Sequence, residues 1–315
     1  ALYHVALKQG ADSVVTKLEI NPADDASKLM ASHRSPRFSP CGTKLAFLAT
    51  RDVVTHNTCS LLAVMDWTTR QTTTLIDVVE EAEFGYTQHP TTAFNGLFCG
   101  SLAKTCWSSD SRYIFFSTQL GARTVWKYVD VQTKQMMHPA YIDGAATGAE
   151  SVLDRAGDDW FLISTSSPVR PPSVFLVHLD LATGKYTIGQ APIAVVDQKG
   201  LSKHVGDWKI LSVPTSVSDG PASKNPQPPP CAELDGALLP QVTSSSDFEA
   251  MIWLPSMDPP KAGFPVILDV HGGPHGSSPV LYRVMYEYLA ALGFAIVSIN
   301  YRGSTGYGLR PLESL

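Results

Sequence analysis

The apolar and polar positions of the first two thirds of the chain repeat in three similar segments. Each segment opens with an apolar residue, passes through a short polar turn, and starts an apolar strand pattern seven residues later. The segments are FSPCGTKLAFL from Phe38, WSSDSRYIFF from Trp107 and LDRAGDDWFLI from Leu153, with strand patterns starting at Leu45, Ile114 and Trp160. Strands that recur with turn signals between them predict a repeated antiparallel β architecture.

A second β-prone run follows each of these strands and closes on the spacing Asp-x-x-Thr. Asp and Thr side chains hydrogen-bond the nearby backbone in turns, so this spacing predicts a hairpin into a further strand. The three pairs are Asp66 with Thr69, Asp130 with Thr133, and Asp180 with Thr183.

The distance between repeats favours a β-propeller over a β-sandwich with accidental similarity. The second and third repeats begin 69 and 46 residues after the one before, the longer interval carrying an insert at about 78–106, and a propeller blade takes roughly 40–50 residues. About four blades fit before residue 214. We therefore expect residues 1–213 to form an incomplete, all-β propeller. Since Leu2 to Leu7 already has the pattern of a strand, we also expect the chain to be an internal piece of a longer protein.

Residues 214–247 interrupt the pattern with a Pro- and Ser-rich stretch that has no periodicity. Such a stretch is typical of a surface insertion or linker, although a polyproline ligand for another domain has the same composition. We interpret it as an insertion or linker near the end of the propeller.

From Phe248 the pattern becomes that of an α/β sheet. FEAMIWL alternates like a half-buried strand, whereas PVILDV and FAIVSINY are continuous apolar runs, which indicate parallel strands covered on both faces. Between these two runs we predict a helix capped by Ser278 and ended by Gly293. Its buried face is predicted to be Val280, Leu281, Val284, Met285, Tyr288, Leu289 and Leu292.

The segment His271-Gly272-Gly273-Pro274-His275 directly follows the first of these apolar strands. Open α/β sheets place their ligand sites at the carboxyl ends of strands. Glycines at such a turn let a carbonyl group approach the backbone, whose N–H groups stabilise an oxyanion in serine hydrolases. We therefore predict an oxyanion loop here rather than a plain turn.

Composition excludes several other classes of function. The chain has 315 residues, 44% hydrophobic and 17% charged, with a net charge of −5. No basic surface for nucleic acid is indicated, and no apolar run is long enough for a membrane span. The five cysteines form no C-x-x-C pair and no metal or organic cofactor is expected, while scattered thiols favour a cytoplasmic location.

HGGPH after one strand and NYRGSTGYG (300–308) after the next, preceded by a propeller pattern, resemble the prolyl oligopeptidase family. The resemblance is to the branch that releases an N-acylated amino acid from short blocked peptides, and it extends through CSLLAVMDW, WSSDS and DFEAMIWLP. It implies that residues 248–315 are the N-terminal part of an α/β-hydrolase domain, and that the substrates are short N-acylated peptides. Because the family often assembles, it also makes a homo-oligomer an expectation.

The resemblance also implies roles for individual residues. The backbone N–H of Gly273 would hold the oxyanion, with Gly272 beside it. His271 would support the loop rather than act as a base, since the triad histidine follows Ser and Asp in this fold. For Arg302, which follows a buried strand, we expect a structural ion pair more than a direct contact with substrate.

A search of every serine finds no G-x-S-x-G motif, so the sequence offers no nucleophile for this loop. We therefore expect the catalytic Ser, Asp and His beyond residue 315 and expect this chain alone to be inactive. Two alternatives remain open: another oligopeptidase or dipeptidyl peptidase of the same superfamily, and a non-catalytic propeller scaffold.

Overall fold

The structure, a computed structural model, describes residues 2–6, 14–53, 57–82, 93–141, 148–195, 202–213 and 248–314. The Pro- and Ser-rich segment 214–247, interpreted above as an insertion or linker, lies outside these residues, as does Cys231.

The described ranges form mainly short β-strands. They are β1 (Tyr3–Ala6), β2 (Val14–Lys17), β3 (Asn21–Pro22), β4 (Ser32–Phe38), β5 (Lys44–Thr50), β6 (Leu61–Asp66), β7 (Gln71–Ile76), β8 (Tyr113–Leu120), β9 (Arg123–Asp130), β10 (Met136–Met137), β11 (Ala140–Tyr141), β12 (Ala149–Arg155), β13 (Trp160–Ser167), β14 (Arg170–Leu179), β15 (Lys185–Val195), β16 (Val205–Val213), β17 (Phe248–Pro255), β18 (Val266–Val270) and β19 (Ala295–Asn300). The helices are α1 (Asp25–Lys28), α2 (Val284–Ala291) and α3 (Leu309–Glu313).

Three of the sheets follow one another along the chain. Their strand orders are β3-β7-β6-β5-β4, β10-β9-β8 and β11-β15-β14-β13-β12, and β1 and β2 pair separately. Apolar clusters join neighbouring sheets: Leu48 packs in one cluster with Phe116, and Phe115 packs in another with Phe161. The architecture is therefore mostly β, and among the described strands none of the sheets closes on itself.

The predicted strand starts and turns are confirmed. β5, β8 and β13 begin at or one residue before the positions expected. At each hairpin the aspartate accepts hydrogen bonds within its own turn. The pairs are Asp66 with Thr68 N and Thr69 N, Asp130 with Gln132 N and Thr133 N, and Asp180 with Ala182 N and Thr183 Oγ1.

The fourth sheet has the order β16-β17-β19-β18 and is mixed. β18 runs parallel to β19, whereas β17 is antiparallel to both β16 and β19. The sheet thus takes strands from both sides of the 214–247 segment. Helix α2 is joined to β16 by Glu287, whose carboxylate accepts backbone N–H groups of residues 202–205.

Four expectations for this sheet are wrong. FEAMIWL was expected to be a half-buried strand, but in β17 both faces are buried, from Phe248 to Met251 and again at Trp253. β18 was expected to be covered on both faces, but Val266, Leu268 and Val270 are each more than half exposed because none of the described elements packs on the face that they share. The helix begins at Val284 rather than after Ser278, whose buried backbone is instead hydrogen-bonded by the Asn300 side chain.

The face predicted to be buried on that helix is wrong for most of its residues, although Val280, which lies before the helix, is buried as predicted and Leu289 packs against the same cluster. Val284, Met285, Tyr288 and Leu292 are exposed, whereas the buried helix residues are Tyr286, Glu287 and Ala290. The predicted helix exit at Gly293 is confirmed, with a φ of +85° directly after the last turn. None of the described helices is long and apolar enough to cross a membrane.

Candidate active site

The HGGPH segment lies where the sequence predicts, at the carboxyl end of β18 and beside the carboxyl end of its parallel neighbour β19. Gly272 and Gly273 are exposed, and among the described residues neither N–H donates a hydrogen bond to a protein acceptor. Gly273 has a φ of +143°, and a Cβ added there would lie 3.0 Å from the His275 nitrogen. The position therefore favours glycine, and the loop presents free backbone donors.

His271 is held by the residues that follow β19. Its ring stacks on Tyr301 with centroids 4.4 Å apart, and the Tyr301 hydroxyl donates to the His271 carbonyl over 2.6 Å. Its Nε2 lies 2.9 Å from the Ser304 hydroxyl oxygen, and its Nδ1 lies 3.1 Å from the Gly272 carbonyl. A carbonyl can only accept, so in a neutral ring Nδ1 carries the proton and Nε2 accepts from Ser304.

The Ser304–His271 contact resembles a nucleophile–base pair, but its surroundings do not suit one. Ser304 is completely buried, so no substrate carbonyl can reach its hydroxyl. A catalytic histidine is oriented by a third group, commonly a carboxylate, whereas His271 meets only a backbone carbonyl on its other side. The geometry suits a contact that fixes the loop.

The far side of the loop is fixed by three more contacts. Thr305 N donates to the Gly276 carbonyl over 2.7 Å, and His275 Nδ1 lies 3.2 Å from the Gly303 carbonyl. From the first β region, the Asn57 amide donates to the His275 carbonyl over 3.1 Å. Both regions of the chain therefore hold the loop in place.

A buried polar chain supports the segment after β19. Asn300 donates to the Tyr307 hydroxyl, which donates to a Glu249 oxygen over 3.0 Å. The same Glu249 oxygen accepts the N–H of Ala122, from the turn between β8 and β9, over 2.6 Å. Burial raises the pKa of the Glu249 carboxyl to about 7, against the opposing effect of these donors. Its other oxygen has no hydrogen-bond partner among the described residues.

Among the described residues, Arg302 has no partner for the ion pair expected of it. Its side chain is exposed, and no carboxylate of the described part of the chain lies within salt-bridge distance. The strand ends at Asn300, so Arg302 lies in the turn and remains in solvent. A contact with substrate stays a prediction.

The residues that support the loop were not predicted from the sequence. Tyr301, Ser304 and Asn57 contact it from positions far away in the chain. The one available signal was the polar run 303–305 directly after a buried strand. Within the described ranges, no group of three or more His, Cys, Asp or Glu side chains is placed to hold a metal ion.

Comparison with solved structures defines the class of fold. The chain superposes on acylaminoacyl peptidase of Pyrococcus horikoshii with a TM-score of 0.56 at 13% identity, over 98% of this chain and 36% of that one. At this identity the likeness concerns the fold alone. The mostly-β architecture resembles the N-terminal propeller region of acylaminoacyl peptidases.

Sequence comparison then gives the family. Residues 1–188 match the model of the acylamino-acid-releasing enzyme N-terminal domain, and the chain belongs to this family. It is 29% identical to the acylamino-acid-releasing enzyme of Sus scrofa over 89% of this chain, and 29% identical to that of Mus musculus over its whole length. The chain spans about a third of the length of these relatives, 34% and 37%.

Proposed function

We propose that this chain provides the propeller side and the oxyanion loop of a serine peptidase that releases N-acylated amino acids from short blocked peptides. In this proposal residues 1–213 are a partial propeller, 214–247 an insertion or linker, and 248–315 the start of an α/β-hydrolase domain. Family membership supports the kind of peptidase, and the parallel pair β18–β19 with its loop supports the hydrolase assignment.

The proposed chemistry is acyl transfer through a serine ester. As the nucleophile attacks the scissile carbonyl, its oxygen becomes an oxyanion that accepts the Gly273 N–H. Gly272 and His271 shape the loop, and a second donor follows the nucleophile in the sequence. Since this sequence contains no G-x-S-x-G motif, we assign the Ser, Asp and His to the length of the relatives that this chain does not span.

The observation that carries the proposal is the geometry of Gly273. Gly273 is exposed, and its N–H has no acceptor among the described residues. The residue lies at the carboxyl ends of the parallel strands, where α/β enzymes bind ligands. Stacking on Tyr301 and the contact with Ser304 hold the adjacent His271 before substrate arrives. Donors fixed in advance need no reorganisation during the reaction, which is what makes an oxyanion hole effective.

The substrate class is part of the proposal and follows from the names of the relatives, which are acylamino-acid-releasing enzymes. A propeller beside the site would exclude folded proteins and admit short N-acylated peptides. A cytoplasmic location and assembly into a homo-oligomer remain predictions from the sequence.

The test is Gly273→Val in a chain that carries the complete catalytic domain. We expect kcat on an acetylated-alanine ester to fall about a hundredfold or more. Valine keeps the backbone N–H, but its Cβ does not fit the φ of +143°, so the N–H is displaced from the oxyanion, and loss of one oxyanion donor costs about 10²–10³ in rate. KM should change little, since the N–H serves mainly the transition state.

The matched control is Gly263→Val, a positive-φ glycine in the turn before β18 with open space at its Cβ position. It should cost stability without lowering kcat. A Gly273→Val enzyme with near-normal kcat would remove Gly273 from the mechanism, and a change in KM alone would make the loop part of the substrate pocket instead.

A further inference from the structure

A pocket of about 430 Å³, with several polar residues in its walls, lies on the propeller side of the candidate active site. Its walls include Arg34 on β4, Gln119 on β8, Asn57, and Thr305 from the segment after β19. No residue of the pocket has been given a role in the chemistry proposed above. The volume is within the range of sites that bind small ligands.

Two of the wall residues connect this pocket to the oxyanion loop. The Asn57 amide donates to the His275 carbonyl over 3.1 Å, and the Thr305 N–H donates to the Gly276 carbonyl over 2.7 Å. Pocket and loop therefore share a wall. A peptide whose scissile bond lies at Gly273 has a short path to this pocket.

Arg34 is the one charged residue among the described residues that line the pocket. Its guanidinium is half-buried and is held by neutral acceptors only: Nη2 donates to Ser60 Oγ over 2.7 Å and to the Cys99 carbonyl over 2.9 Å, and Nε donates to the Gly100 carbonyl over 3.3 Å. Within the described ranges no carboxylate lies within 4 Å of it, and Nη1 has no hydrogen-bond partner.

Two other arginines of the same region are paired with carboxylates, whereas Arg37, which does not line the pocket, also donates only to carbonyls. Arg112 contacts Asp130 over 2.8 Å, and Arg51 contacts Asp77 over 2.8 Å. A guanidinium that is fixed in place, partly removed from water and without a carboxylate is suited to an anionic ligand. Its planar donors match a carboxylate in particular.

We propose that this pocket binds the C-terminal carboxylate of a short peptide, with Arg34 receiving the carboxylate. The inference rests on the proposed peptidase function and adds how substrate length is selected. Peptides whose length places the terminal carboxylate at Arg34 bind best. Removing the terminal charge weakens their binding without changing the acylated end.

The experiment measures binding to the 315-residue chain by calorimetric titration with acetyl-trialanine, as the free acid and as the C-terminal amide. The acid should bind about tenfold or more tightly than the amide, the usual gain from a hydrogen bond to a charged group. In Arg34→Gln this preference should disappear while the affinity of the amide is retained. The third probe is acetyl-alanine as the free acid, which is the product of the proposed reaction. Because this ligand is so short, its affinity should depend less on Arg34.

Arg37→Gln is the matched control. Arg37 lies on the same strand and donates to the Leu102 and Ala103 carbonyls, but it does not line the pocket, so its variant should keep the preference for the acid. Thermal unfolding of each variant identifies loss of fold. If Arg34→Gln does not fold, Arg34→Lys replaces it, since lysine keeps the charge without the planar donors and should lower the preference.

Equal affinity of wild type for acid and amide would overturn the proposal, as would a preference that persists in Arg34→Gln or is undiminished in Arg34→Lys. This binding needs no nucleophile, so the two proposals can fail separately. A preference for the acid without hydrolysis by the complete enzyme would refute only the peptidase function. Hydrolysis without a preference for the acid would refute only the proposal that the pocket binds the C-terminal carboxylate.

Discussion

The first three sheets and the mixed sheet of β16–β19 use similar apolar strands but bury them differently. In β5 every residue from Leu45 to Thr50 is buried, because one face packs on the neighbouring sheet and the other on a second cluster. β18 is as apolar in sequence, yet alternate residues are more than half exposed. An apolar run alone therefore does not determine burial; the layers packed around the strand do.

The same contrast applies to hydrogen bonding at the strand edges. β19 has a neighbour on either side, whereas β18 has one neighbour and forms the edge of its sheet. Under the proposed function this edge is where further strands of the hydrolase domain pair, and the exposed face is where its helices pack. Open apolar edges of this kind otherwise favour aggregation.

The contrast is tested most strongly by two identical substitutions, Leu62→Ala in β6 and Leu268→Ala in β18. Leu62 is fully buried and Leu268 is 58% exposed. Leu62→Ala should lower the free energy of unfolding by about 2–5 kcal/mol, and Leu268→Ala by less than about 0.5 kcal/mol. Urea unfolding of the two variants provides the measurement, and similar losses would contradict the difference in packing.

A smaller effect is expected at the seam between the two regions, where Glu249 of β17 accepts the Ala122 N–H. Burial raises the pKa of this carboxyl from 4.5 to about 7, so between these values the folded chain holds a proton that the unfolded chain has released. This contribution to stability is therefore lost as pH rises through that window.

Urea midpoints measured from pH 4.5 to 8 should fall less steeply in Glu249→Gln than in wild type. The exposed Glu313→Gln is the control and should leave the wild-type slope unchanged. An identical slope in wild type and Glu249→Gln would show that Glu249 does not titrate in this window.

The features that were predictable from the sequence are those that depend on local chemistry. The Asp-x-x-Thr turns formed because Asp66, Asp130 and Asp180 bond the backbone two or three residues away. The position of the HGGPH loop followed equally from a strand that ends at Val270.

The features that failed depend on partners distant in sequence. Ser278 was expected to cap a helix, but Asn300, 22 residues later, occupies its backbone groups. The face of α2 was assigned from hydrophobicity, whereas Glu287 is buried because it accepts backbone N–H groups of residues 202–205. The supports of His271 could not be inferred for the same reason, since Ser304 reaches it only after β18 and β19 pair.

The central claim, that this chain holds an oxyanion loop without its nucleophile, is tested most directly by a fluorophosphonate probe applied to the purified 315-residue chain. We predict no labelled serine, and in particular none at Ser304, whose hydroxyl is completely buried against His271. Ser304→Ala should give the same blank result. Stoichiometric labelling of wild type that is lost in Ser304→Ala would contradict the account and make the His271–Ser304 pair the catalytic one.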